Sequence, residues 1–262
     1  MKIIDAHVHI FPDKIAVKAS QSISDFYTLQ VRYDGTVDTL LKVSEPAGVE
    51  QFTVHSVATT AAQVSSINSF IADTVKKYPG RFYGFATLHP DCNDIEGEIE
   101  ACISHGLHGI KLHPDFQCFE ADSPAAMRMY EIIDNRLPVL IHAGDFRKPY
   151  SKPSRILNMC RAFPRQTVIA AHLGGWSEWD ECPKQLADCG IYVDTCSSQG
   201  FLLPHRVREL IDIFTPEKVF FGTDYPMWSP AEEITALKKI LRDETEAENI
   251  FHLNFERMIG EY

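Results

Sequence analysis

His7 and His9 lie two residues apart in an apolar, β-branched run near the start of the chain. In an extended strand, residues i and i+2 project from one face, so both imidazoles can converge on one metal ion. Taken alone, they fit equally well as satisfied histidines of a polar core. Further apolar runs also stop at polar residues. His142 follows Val-Leu-Ile and precedes Ala-Gly, and His172 follows Ile-Ala-Ala and precedes Leu-Gly-Gly. Asp224 follows Val-Phe-Phe-Gly-Thr. An unpaired buried carboxylate is costly, so Asp224 needs a partner unless it serves as a helix cap or turn residue. Lys111 and His113, in Gly-Ile-Lys-Leu-His-Pro, share strand parity and can point into one space.

Such residues act together only if a scaffold brings the strand ends together. Strand-like runs occur at 2–10, 49–57, 81–88, 107–113, 138–142, 167–172, 191–196 and 218–224. After the first gap their starts are 24 to 32 residues apart, the length of a βα unit. The first gap, 47 residues, leaves room for an excursion around 26–34 before a helix over 36–45. Between the runs lie helical patterns. Val64, Ile67, Ile71 and Val75 form one stripe over 61–77, and Ser123-Pro-Ala-Ala reads as a capped helix start. Further helices are expected over 206–214, 231–241 and 247–259. Eight such units predict a single-domain (β/α)8 barrel over residues 1–262, close to the roughly 250 residues typical of that fold. The alternative, an open doubly wound sheet, normally has fewer strands and a Gly-rich phosphate loop after the first. Barrel active sites sit at the strand C-termini. Seven of the 11 histidines (His7, His9, His55, His89, His113, His142 and His172) fall there with Lys111 and Asp224.

Composition narrows the function. The chain has 25 Lys+Arg against 36 Asp+Glu, a formal charge of −11, which argues against nucleic acid and anionic membranes as partners. No apolar run approaches the roughly 18 residues of a membrane span, and the N-terminus enters a strand without a signal-like segment. The seven cysteines include no C-x-x-C pair, so a reducing, cytoplasmic setting is expected rather than a disulfide framework. Cys196 stands out because it ends a strand run.

Five motifs in order, Asp5-Ala-His-Val-His9, Gly109-Ile-Lys-Leu-His-Pro114, Ile141-His-Ala-Gly144, Ala171-His-Leu-Gly-Gly175 and Gly222-Thr-Asp-Tyr-Pro226, resemble the amidohydrolase superfamily. The resemblance is closest to its amidohydrolase-2 branch, which includes aminocarboxymuconate-semialdehyde decarboxylase-like enzymes. It implies a divalent metal, usually zinc, held by His7, His9, His142 and Asp224, with His172 activating water. Either His172 or Asp224 then handles the transferred proton. Asp5, two residues before His7, is expected to orient that imidazole. The expected activity is hydrolysis of a C–N or C–O bond in a small, carboxylate-bearing molecule, with Lys111, His113 and Arg147 as substrate contacts. A non-oxidative decarboxylase on the same scaffold is the alternative, although this chain is short for that subtype. A TatD-like nuclease would carry Glu at the end of strand 4, where this chain has Lys111. A binding barrel without catalysis would not need the full ligand set. One metal ion is expected; a second, bridged by a carboxylated Lys111, is the alternative. Homo-oligomerisation is left open.

Overall fold

A computed structural model describes residues 1–262. Its strands are β1 (Ile4–His9), β2 (Gln51–His55), β3 (Phe82–Thr87), β4 (Gly109–Leu112), β5 (Val139–Ile141), β6 (Val168–Ala170), β7 (Tyr192–Asp194) and β8 (Val219–Phe220). They pair in parallel in sequence order. The circle closes where the chain after β8 meets β1. There Ala6 N–H donates to the Phe221 carbonyl, His9 N–H to the Tyr225 carbonyl, and Asp224 N–H to the His7 carbonyl. The fold is a (β/α)8 barrel, and none of its helices is long and apolar enough to cross a membrane.

The interior is layered. Ile4, Ala6, Phe85, Leu140, Ile169 and Phe220 fill the lower barrel, closed below by Phe255 and Met258 of the terminal helix Asn254–Ile259. Val8 and Ile10 pack instead in the larger cluster between strands and helices. Strict alternation would put Ile4, Ala6 and Val8 on one face. The β1–β2 register shifts between Asp5 and Val8, and this irregularity brings His7 and His9 to the inner face above Ala6.

Two expectations are corrected. The excursion after β1 is mostly a helix, α1 (Asp13–Tyr27), followed by α2 (Val37–Ser44), which Thr36 caps. α1 buries only Ala16, Ser20 and Ile23, so its polar composition hides its period. The terminal helix expected over 247–259 begins earlier, at Glu244, and runs to Ile259 through a wider, π-helical turn at Asn249–Leu253. Just after that turn, Asn254 Nδ2 donates to the Pro216 and Val219 carbonyls, tying this segment to β8. The ladders are also shorter than the apolar runs. Asp224 lies four residues beyond β8, and His142 and His172 lie just past β5 and β6.

Candidate metal centre

Hydrogen bonds behind each ring determine what it presents in front. His7 Nδ1 lies 2.7 Å from Asp194 Oδ2, so the ring hydrogen sits there and Nε2 turns a lone pair to the barrel mouth. That Nε2 is 3.6 Å from Asp224 Oδ1, and His9 Nε2 is 3.4 Å from the same oxygen. His172 Nδ1 lies 3.2 Å from the Cys196 carbonyl, an acceptor only, which leaves His172 Nε2 bare. The bare nitrogen faces His142 Nδ1 at 2.9 Å. With the His172 hydrogen on Nδ1, His142 Nδ1–H donates to His172 Nε2 at 2.9 Å, and His142 Nε2, buried and without a hydrogen-bond partner, is left with a lone pair.

Asp224 is held from behind in the same way. Its Oδ2 accepts the Ser197 hydroxyl, and Ser197 Oγ accepts the Trp228 indole N–H at 2.8 Å. Oδ1 is left facing His7 and His9. His172, Ser197 and Asp224 have left-handed φ of 61°, 47° and 58°, so β6, β7 and β8 all turn sharply where their polar residues enter the site. Burial, then the charge of Lys111, pushes His7, His9 and His142 well below the ordinary imidazole range; burial, then His142, does so for His172. All four are therefore neutral at pH 7, the form that ligates metals. Burial raises Asp224 to about 6. Neutral imidazole nitrogens and a carboxylate oxygen suit a borderline divalent cation. The residues present therefore fit a metal.

Lys111 Nζ, fully buried, lies 3.0 Å from His7 Nε2. Burial lowers its pKa to about 8. The cavity above these atoms, about 310 Å³, is also lined by Ile23, Tyr27, His113, Phe116, Pro226 and Met227. A second lobe of about 230 Å³ adds Leu29, Trp176, Ser197 and Phe201 and shares Tyr27, His142, His172 and Asp224. Both volumes include open solvent; the space free for a water-sized group is only about 20 Å³ and about 10 Å³, far below the usual ligand site, so the cavity is nearly closed.

Two sequence expectations need adjusting. Asp5 does not orient His7; its carboxylate accepts from the Thr223 N–H and hydroxyl and from the His7 main-chain N–H. Asp194 orients the ring instead. Arg147 does not line the cavity. Its Nε and Nη2 bind Asp145 at 3.0 and 2.8 Å, and Nη1 donates to the Phe26 carbonyl at the end of α1. Trp179 and Trp228 pack behind the site by hydrogen bonds to His172 O and Ser197 Oγ, while Trp176 walls the second lobe. Cys196 is buried against Asp194, His7 and His172. Sequence reading missed Asp194, Asp115, Ser197 and Tyr27. Asp194 alone carried a signal, a carboxylate closing an apolar run.

Gly144, two residues after His142, has φ +79°, and a Cβ there would lie 2.5 Å from the Trp176 carbonyl oxygen. Gly144→Ala is expected to cost about 2 kcal/mol or more, read as a lower melting midpoint, because the atoms the methyl would meet are backbone and cannot move aside.

The family model described as Amidohydrolase matches residues 4–260. A search of curated proteins finds no match. Solved structures share the fold over essentially the whole chain. A 2,6-dihydroxybenzoate decarboxylase from Rhizobium is 16% identical, with TM-score 0.77 and coverage of 100% of this chain and 99% of that one. A dihydroxybenzoic acid decarboxylase from a Polaromonas species, with bound manganese and the inhibitor 2-nitroresorcinol, is 14% identical, with TM-score 0.75 and coverage of 99% and 97%. A structure described as a probable 2-pyrone-4,6-dicarboxylic acid hydrolase from Acinetobacter baumannii, with citric acid bound, is 16% identical, with TM-score 0.69 and coverage of 99% and 100%.

Proposed function

The chain belongs to the amidohydrolase family, and from that premise we propose that it is a metal-dependent hydrolase of a C–N or C–O bond in a small, carboxylate-bearing molecule. The observation that carries this reading is the convergence of His7 Nε2 and His9 Nε2 on Asp224 Oδ1, with His142 Nε2 buried and unpartnered beside the same cavity. His7, His9, His142 and Asp224 would hold one divalent ion, with zinc the first candidate. When bound, such an ion supplies Lewis acidity towards a carbonyl and makes water a nucleophile near neutral pH. His172 is the base: its Nδ1 hydrogen is committed to the Cys196 carbonyl, so Nε2, which faces His142 Nδ1, carries the lone pair that accepts a proton from water. His172 then returns that proton to the leaving group; Asp224 as the proton carrier is the alternative. Lys111 pairs with a substrate carboxylate, and His113 lines the same cavity. Arg147 fixes the roof over the cavity instead of touching substrate.

A second reading is a non-oxidative decarboxylase, in which His172 or Asp224 protonates the carbon that loses CO2. It is favoured by the whole-chain fold likeness to two dihydroxybenzoate decarboxylases. A screen of lactones, amides and aromatic acids separates the two: hydrolysis yields an added water, and decarboxylation releases CO2. Metal analysis tests what both readings share. The expected result is one ion per chain, with turnover abolished by chelation and restored by zinc or manganese. Failure to take up any divalent ion on reconstitution would remove the basis of both. Two ions bridged by a carboxylated Lys111 would replace the mononuclear reading and make His172 a ligand.

A further inference from the structure

Tyr27 is the last residue of α1, and its hydroxyl meets His113 Nε2 at 3.0 Å inside the cavity. The other nitrogen of the ring settles which group donates. His113 caps the short helix Pro114–Gln117: the Phe116 N–H is shared between the His113 carbonyl at 3.0 Å and His113 Nδ1 at 3.3 Å. A hydrogen on Nδ1 would point at that N–H, so the ring hydrogen belongs on Nε2. The ring is also stacked between Phe116 at 3.8 Å and His142 at 3.9 Å, which fixes its plane, and burial keeps it neutral. Nε2–H therefore donates to Tyr27 Oη, which acts here as the acceptor. The phenol's own hydrogen has no acceptor in the protein, and Tyr27 borders both lobes of the cavity. Burial and nearby carboxylates keep that hydrogen in place at neutral pH. Arg147 holds the tyrosine in position, donating to the Phe26 carbonyl while its guanidinium lies 5.5 Å over the Tyr27 ring.

We propose that the Tyr27 hydroxyl donates a hydrogen bond to a substrate oxygen carrying full or developing negative charge, a carboxylate or a carbonyl, and that His113 is the positioning residue that turns it into the cavity. This rests on the reading of the cavity as the substrate site. The test uses the full chain, metal-free and metal-loaded, with benzoate as the probe. In 15N-histidine-labelled protein, the signals lost in His113→Gln are expected to report hydrogen on Nε2. Hydrogen on Nδ1 would overturn the proposal, because the Tyr27 hydroxyl would then be spent on Nε2. Calorimetry is expected to show that Tyr27→Phe weakens benzoate binding about 10-fold or more, as loss of a hydrogen bond to a charged group does, with metal content and melting midpoint unchanged. Equal affinity in wild type and variant, or no benzoate binding by wild type, would also overturn it. Failure of the proposed function shows separately, as absent metal uptake by wild type, while the tautomer can still be read in metal-free protein.

Discussion

His172→Asn is expected to lower turnover by about 10²-fold or more while leaving the metal bound, the size of a general-base effect. The substitution is well isolated. His172 has φ 61°, a left-handed conformation that Asn tolerates better than most residues. Its main-chain N–H still reaches Asp194 Oδ1 at 2.9 Å, and its carbonyl still accepts the Trp179 indole N–H at 2.9 Å. What is lost is Nε2, the nitrogen facing His142 Nδ1 at 2.9 Å. An amide side chain has no basic nitrogen to take its place. The measurement pairs steady-state kinetics with elemental analysis of the same sample. Turnover within a few-fold of wild type would show that Asp224 alone moves the proton. Loss of metal along with activity would make His172 a ligand and favour the two-ion arrangement.

What the sequence made legible, and what it did not, follows from how far each inference had to reach. The barrel could be read because each βα unit repeats a local pattern and the strand ends then share one face by topology. That alone brings His7, His9, His142, His172 and Asp224 together. The partners behind them depend on details without a local signature. Parity suggested Asp5 as the support for His7. The register shift between Asp5 and Val8 breaks that parity, and Asp194, 187 residues away, takes the position. Arg147 follows His142 closely in sequence, which suggested a substrate contact. Its guanidinium is engaged by Asp145, two residues before it, and by α1, whose weak apolar stripe concealed it. Tyr27 was invisible for the same reason: only the folded position of α1 puts it over strand ends distant in sequence.

The second large effect is expected at Asp194, which no motif marks. Its carboxylate is an acceptor only, and three donors meet it. Oδ2 takes His7 Nδ1–H at 2.7 Å; Oδ1 takes the His172 main-chain N–H at 2.9 Å and the Cys196 thiol at 2.8 Å. Asp194→Asn is nearly isosteric but retains one acceptor oxygen and gains two N–H donors. If the oxygen stays with His7, the amide NH2 confronts the His172 N–H and the thiol. A buried donor without a partner costs about 1–3 kcal/mol. If the side chain flips, the NH2 faces His7 Nδ1, and that nitrogen must become the acceptor. The His7 hydrogen then moves to Nε2, the atom that looks into the site beside Asp224, and the ring can no longer ligate. Either outcome weakens the metal site, and metal affinity is expected to fall about 10- to 100-fold, the usual effect of losing a carboxylate that orients a ligating histidine. Competition with a chromogenic chelator measures it. Asp5→Asn is the internal control: its carboxylate contacts Thr223 and the main chain and no imidazole, so it is expected to lower stability with far less effect on metal affinity. Equal loss of affinity in the two variants would mean that the site responds to general loosening of the barrel mouth and that Asp194 has no special hold on the His7 tautomer.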